Sequence, residues 1–199
     1  MHLLPSAEGD RPWRVSLQAT PSMSHVHVIR TTAPDGTEYA PYYQTYIGHV
    51  PAGDIVETLA TAGESATAFL RAIPEEKGSA RYAPGKWSIR EVIGHITDAE
   101  RIFTYRALRF ARADATALAP FDENAYIANG SFDERSLASL IDEFEAVRRA
   151  SVLLFASLDA TEWLRVGTAS GKQMSVRGAA WVTAGHAMHH VGILKSRYL

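Results

Sequence analysis

Residues 84–96 read PGKWSIREVIGHI and contain the clearest helix start in the chain. Ser88 and Glu91 have the Ser-x-x-Glu spacing of a capping box, in which two side chains bind free backbone N–H groups of the first helical turn. Apolar residues then recur every three or four positions, which places them on one face of a helix. They are Ile89, Val92, Ile96, Ala99, Phe103, Ala107 and Phe110. The pattern predicts an amphipathic helix from Ser88 to about residue 112.

Three other segments show the same helical period. One covers roughly residues 52–73 and stops at Pro74, one begins near Asp133, a good N-cap, and one opens near Ser175. A polar connection of about 20 residues before Asp133 is long enough to cross the end of a bundle. Four amphipathic helices without convincing strands predict an all-α four-helix bundle.

The remaining segments carry weaker signals. Residues 1–38 contain several prolines and no sustained period, so we expect an irregular N-terminal arm ahead of one domain at residues 39–199. Within this arm, residues 26–30 could form a short extended piece. A short turn is expected at residues 159–163 and a turn-like stretch at residues 168–172.

Composition limits the classes of partner. The chain has 199 residues, of which 46% are hydrophobic and 21% charged, and this is ordinary for a globular domain. Its net charge is −2 and no run of like charges occurs. We therefore expect neither a nucleic acid nor a membrane as a partner. No stretch approaches the roughly 20 apolar residues of a membrane span, and the N-terminus lacks the basic start and apolar run of a secretory signal.

The chain contains no cysteine. Disulfides, thiolate metal ligands and a cysteine nucleophile are therefore excluded, and a transition metal would have to bind histidine, carboxylate or water. The lack of cysteine also fits a cytoplasmic protein, which is the localisation we expect.

Three histidines are expected to face the bundle axis. His186 and His190 are four residues apart on the last helix, so they lie about 40° apart and one turn above each other, within reach of one ion. His95 lies on the apolar stripe of the helix that starts at Ser88. Buried imidazoles need a partner, because leaving their nitrogens unpaired is costly. The pattern favours a metal site on His95, His186 and His190.

Other interpretations of these polar residues remain open. Each histidine could be a hydrogen-bonded core residue, and His189 could replace His190 as the ligand that accompanies His186. Asp98 could lie on a solvated helix face, or it could accept a hydrogen bond from a metal-ligating histidine. His189 could also be a hydrogen-bond partner of a metal ligand. Glu100 should point away from the site and lie on a solvated face. Arg106, like Arg109, is expected at the surface.

The chain resembles the DinB/YfiT-like superfamily in three stretches. They are residues 84–96, residues 100–110 and the segment GHAMHH at residues 185–190, and the resemblance covers roughly residues 40–199. It implies a four-helix bundle with an up-up-down-down course and a long crossover. It also implies a divalent ion, often zinc or nickel, on the three histidines in the positions of His95, His186 and His190, and a homodimer.

The same resemblance implies a range of activities. Relatives include metal-dependent transferases and isomerases that use low-molecular-weight thiols such as bacillithiol or mycothiol, and others are described only as metal-dependent hydrolases. We therefore expect a metal-dependent enzyme, either a thiol-dependent S-transferase or a hydrolase, that acts on a small molecule. Because the chain lacks cysteine, any thiol would come from a cosubstrate. The alternative is a non-catalytic metal-binding or stress-response protein that serves as a dimeric scaffold. The sequence assigns no catalytic residue.

Overall fold

A computed structural model describes residues 23–199, so most of the predicted N-terminal arm lies outside the described residues. The elements are α1 (Met23–Thr31), α2 (Gln44–Ile47), α3 (Ile55–Arg71), α4 (Ile89–Ala111), α5 (Glu123–Asn129), α6 (Leu137–Ala156), α7 (Ala160–Leu164), β1 (Val166–Ala169), β2 (Lys172–Ser175) and α8 (Val176–Ile193), with 3₁₀ turns at Pro41–Tyr43, Glu75–Lys77 and Phe132–Glu134 and a final π-helical turn at Leu194–Tyr198.

The four long helices α3, α4, α6 and α8 form the predicted four-helix bundle. Helices α3 and α4 each pack against both α6 and α8, so α3 and α4 occupy opposite corners. Two apolar clusters fill the interior. One cluster joins the end of α3 and the end of α8 to the beginnings of α4 and α6, and the other joins the opposite ends of the same helices. On the two helices that carry the three histidines, the change from one cluster to the other lies near His95 and His186.

These clusters correct the expected up-up-down-down course. Since α3 ends where α4 and α6 begin and α8 ends, the helices run up, down, down and up. The link between α3 and α4 stays at one end of the bundle, because the Ile89 and Arg90 amides donate to the carbonyls of Ala80 and Gly78. The predicted long crossover is confirmed. It joins the parallel helices α4 and α6, contains α5, and must return along the length of α4, roughly 35 Å at 1.5 Å per residue.

Local capping sets the helix starts. Ser88 and Glu91 form the predicted capping box of α4. Helix α6, however, starts at Leu137 with Ser136 as its N-cap, and not near Asp133. Asp133 is used elsewhere, because its carboxylate accepts a hydrogen bond of 2.6 Å from the Ser88 hydroxyl. Helix α7 lies at the short turn predicted for residues 159–163.

The expectation of no strands is wrong for the segment before α8. Strands β1 and β2 form a two-stranded antiparallel hairpin. Its turn lies in the predicted stretch, with φ values of 53° at Ser170 and 71° at Gly171. Positive φ at both central residues belongs to the tight hairpin turn that matches strand twist. Strands of four residues are too short to show a convincing alternation in the sequence.

The expected extended piece at residues 26–30 is helical and belongs to α1. Ile29 packs into the core, and Arg30 is buried beside Asp54, the N-cap of α3. The Arg30 guanidinium donates to Asp54 from Nε at 3.0 Å and from Nη2 at 2.8 Å. The described part of the arm is therefore helical at Met23–Thr31 and packs against the bundle through Ile29 and Arg30. The division of the chain at residue 38 stays a prediction.

Within residues 23–199, no helix combines the length and the apolar character needed to cross a membrane.

Candidate metal centre

The structure brings His95, His186 and His190 together between α4 and α8. Each ring offers one nitrogen, and these three nitrogens all lie within 4.8 Å of one another. His95 Nε2 and His186 Nε2 are 3.0 Å apart. Because α4 and α8 run antiparallel, the early part of α4 meets the later part of α8, and this pairing places the three rings at one level of the bundle.

A glycine precedes a histidine on each helix, and both glycines are needed for close packing. A Cβ atom at Gly94 would lie 2.2 Å from the Phe132 ring, and one at Gly185 would lie 2.0 Å from the Tyr46 carbonyl oxygen. The crossover can therefore approach α4 closely, and the α2 segment can approach α8, only where no side chain intervenes. These two contacts place Phe132 of the crossover against α4 next to His95 and the α2 segment against α8 next to His186.

Aromatic side chains surround the cluster. The Trp87 ring lies 4.7 Å from the His95 ring, while the Tyr46 and Phe103 rings lie 5.0 Å and 5.6 Å from the His186 ring, measured between centroids. His95 and His186 are only 7% and 3% exposed. His190 is partly exposed, so it is the most accessible of the three histidines.

Burial keeps the three imidazoles neutral. It lowers the pKa of His95 to about 4 and that of His190 to about 3, the latter with help from the neighbouring His95 and His189. Burial also lowers the pKa of His186 well below its ordinary value, and the other histidines act in the same direction. Neutral rings present free lone pairs, which is the protonation state that metal binding requires.

The donor set fits a divalent transition metal. Bonds of about 2.0–2.1 Å at ordinary coordination angles put neighbouring nitrogens roughly 3 Å apart, close to the observed His95–His186 separation. Imidazole nitrogen suits zinc, nickel, copper and iron, whereas magnesium and calcium prefer oxygen. Among the described residues, the candidate ligands at this site are the three histidines, and no carboxylate belongs to the group.

The two acidic residues near His95 have different environments. Asp98 pairs with Arg101 at 3.4 Å, and burial raises the pKa of its carboxyl group. Among the described residues, no hydrogen bond joins Asp98 to the histidines. Its suggested role as a hydrogen-bond partner of a metal ligand stays a prediction. The prediction of a solvated face for Glu100 is wrong. Its side chain is buried against Arg148 of α6. The helical period of α4 alone cannot reveal a compensating charge on another helix.

His189 lies beside the three-histidine group and is not part of it. Its Nδ1 atom is 3.2 Å from Nε2 of His49, and its ring packs against Tyr46 and His190 at 5.4 Å and 5.2 Å. Sequence reasoning missed both Tyr46 and His49. They lie in and just after the four-residue helix α2, where no periodic signal could have identified them.

Arg106 is buried and not at the surface, contrary to prediction. Its Nη2 atom donates to the Ala119 carbonyl at 3.1 Å and to the Ser170 hydroxyl at 3.0 Å. It therefore connects α4 to the crossover and to the hairpin turn. Arg109 is less buried and pairs with Asp114.

The family model of the DinB superfamily matches residues 58–194, a span that contains all three histidines. The chain belongs to the DinB superfamily. The predicted family is thus confirmed, while α1, Tyr46 and His49 precede the matched span. No curated protein matches this DinB-superfamily chain.

Among solved structures, this DinB-superfamily member is similar to YfiT from Bacillus subtilis. The TM-score is 0.64 at 14% sequence identity, and the match covers 86% of this chain and 94% of the YfiT chain. YfiT is described as a probable metal-dependent hydrolase with an unusual four-helix bundle topology. At this identity the likeness shows a shared fold.

Proposed function

We propose that this chain is a divalent-metal-dependent enzyme in which His95, His186 and His190 bind the ion and a small nucleophile attacks a small-molecule substrate. The observation that carries the proposal is the group of three neutral imidazoles whose nitrogens lie within 4.8 Å of one another. Zinc and nickel are the ions we expect, because the family resemblance implies them and imidazole nitrogen suits both.

The number of protein ligands favours catalysis over a structural role. Structural zinc sites generally use four protein ligands, whereas catalytic sites use three and leave a position for water or substrate. The candidate group in the described part of the chain has three members. Asp98, the acidic residue that the helical period places at the margin of the site, is engaged with Arg101. When bound here, a divalent ion would act as a Lewis acid that lowers the pKa of a small nucleophile and polarises a substrate oxygen.

The surrounding residues have separate tasks in this proposal. The three neutral ligands leave the charge of the ion uncompensated, which favours an anionic nucleophile. The Trp87 and Tyr46 rings cover His95 and His186 and keep water from those sides of the site. The partly exposed side of His190 is where nucleophile and substrate would enter.

The nucleophile is either water or a low-molecular-weight thiol. The description of YfiT supports water, since a hydrolase transfers a group to water. The family resemblance supports a thiol, which would be a cosubstrate because the chain has no cysteine of its own. Both reactions use the same ion site and differ in what occupies the remaining position. The expected homodimer and cytoplasmic localisation stay predictions.

Cobalt substitution tests the proposal and distinguishes the two nucleophiles. Metal-free protein is loaded with one equivalent of Co²⁺, and its absorption spectrum is recorded with 2-mercaptoethanol and, separately, with azide. An intense sulfur-to-cobalt charge-transfer band would support a thiol as nucleophile. A spectrum that changes with azide and not with the thiol would support water. A spectrum insensitive to both would show a closed structural ion and contradict the enzyme proposal.

A further inference from the structure

A second pair of histidines lies beside the three-histidine centre. His49 follows α2 and His189 is on α8, with Nε2 of His49 3.2 Å from Nδ1 of His189. Their ring centroids are 5.2 Å apart and the ring planes are inclined by 45°. Among the described residues, neither ring makes another hydrogen bond to protein. Within the described part of the chain, each of these two rings therefore has the other ring as its one hydrogen-bonding partner.

The spacing of the facing nitrogens suits one shared ion. It resembles the 3.0 Å between His95 Nε2 and His186 Nε2, which are predicted ligands of a single metal. Two nitrogens held roughly 3 Å apart can occupy neighbouring positions around an ion at bond lengths of about 2.0–2.1 Å. A neutral N–H···N hydrogen bond is the alternative, and its net contribution is small where water competes for the same groups.

Accessibility also suits an ion. His49 is exposed and His189 is half-buried, so an ion could enter from solvent and complete its coordination with water. Imidazole is a good ligand for Zn²⁺, Ni²⁺ and Cu²⁺. His49 lies ahead of residues 58–194, so the family match says nothing about it.

We propose that His49 and His189 form a second, outer site for a divalent transition-metal ion. The site is distinct from the three-histidine centre and does not require that centre to be catalytic. The His189 ring packs 5.2 Å from the His190 ring, so two bound ions would lie close together. Like charges at short range repel, and the outer ion is coordinated by only two protein nitrogens. The outer site is therefore the weaker one and fills second.

Calorimetric titration of untagged, metal-free protein with Zn²⁺ tests the outer site. The expected result is two ions per chain with distinct affinities. His49→Ala should remove the weaker phase and leave one ion, while His25→Ala, which alters another exposed histidine, should leave two. One ion per wild-type chain, or equal stoichiometry in wild type and His49→Ala, would overturn the proposal.

Two further variants distinguish an outer metal site from a simple hydrogen-bonded pair of histidines. His49→Gln keeps a side chain that can hydrogen-bond to His189 but removes the imidazole ligand, so it should lose the weaker ion as His49→Ala does. If His49→Gln keeps both ions, the pair is only a hydrogen bond. Adding His49→Ala to a His190→Ala chain should still remove one weakly bound ion. This comparison reports on the outer site even if the three-histidine centre fails to bind metal.

Discussion

Five residues after His95, Glu100 forms a bidentate ion pair with Arg148. Arg148 donates from Nε to Oε1 at 2.8 Å and from Nη2 to Oε2 at 2.7 Å, and its Nη1 atom donates to the Leu59 carbonyl at 3.1 Å. Glu100 and Arg148 are only 2% and 4% exposed. Both charges have therefore lost their water, and each depends on the other for compensation. The pair connects three helices of the bundle, since Leu59 is in α3, Glu100 in α4 and Arg148 in α6.

Glu100→Gln should strongly destabilise the metal-free protein. The amide keeps the shape of the side chain but leaves the buried Arg148 charge without compensation, which typically costs about 3–5 kcal/mol. The free energy of unfolding in urea measures the loss. Glu145→Gln is the matched control, because the Glu145 side chain is 59% exposed in its pair with Arg71 and such surface pairs contribute roughly 0–1 kcal/mol. Similar losses in the two variants would show that burial does not strengthen the Glu100–Arg148 pair.

At the scale of elements, the sequence predicts best the features that depend on neighbouring residues. The Ser88 capping box and the apolar stripe of α4 are local signals, and this helix lies where the sequence places it. Helix α8 likewise begins directly after Ser175, its N-cap, at the predicted position. Both helices that carry the candidate metal ligands are therefore predictable from local pattern.

The start of α6 shows where a local signal is ambiguous. Asp133 and Ser136 are both residue types that suit an N-cap, and we predict a start near Asp133. The helix begins at Leu137 instead, because the Ser136 side chain accepts a hydrogen bond from the Ser139 amide. The Asp133 carboxylate is engaged by the hydroxyl of Ser88, 45 residues away in the chain. A contact across that separation decides between the two caps and has no signature in the local sequence.

Elements that depend on distant contacts are predicted less well. Helix α1 is stabilised by burial of Ile29 and by the Arg30–Asp54 pair, which joins residues 24 positions apart. The strands of the hairpin are too short for their alternation to be recognised. The up-down-down-up course likewise depends on the link between α3 and α4, which stays at one end of the bundle. No local sequence pattern indicates where this link runs.

The candidate site shows the same division. His95, His186 and His190 are predicted together because all three lie on regular helices, where the period fixes which face a residue occupies. Tyr46 and His49 belong to a short helix and the loop after it, so their approach to α8 follows from tertiary packing alone.

For the molecule as a whole, the buried histidines predict a loss of stability in acid. Burial lowers the pKa of His95 to about 4 and that of His190 to about 3, whereas an unfolded chain titrates histidine near 6.5. Below about pH 6.5 the unfolded state therefore binds more protons than the folded state. With respect to these histidines, the free energy of unfolding therefore has its full value above that pH. It decreases by roughly 1.4 kcal/mol per pH unit for each such histidine as the pH falls towards 4 and 3.

Urea unfolding of the metal-free protein between pH 7.5 and pH 4.5 measures this dependence. His190→Ala removes one of the buried groups, so its unfolding free energy should fall less steeply with decreasing pH than that of the wild type. Equal slopes in wild type and His190→Ala would show that His190 titrates normally in the folded protein.

The metal content of untagged His190→Ala and His189→Ala, after dialysis that removes weakly bound ions, shows which histidines hold the ion. We expect His190→Ala to lose more than about tenfold in affinity and to retain little metal, because a ligand is missing. His189→Ala should keep close to one ion per chain, since His95, His186 and His190 remain. Equal loss of metal in the two variants, or full retention in His190→Ala, would contradict the assignment of these three histidines as the metal ligands.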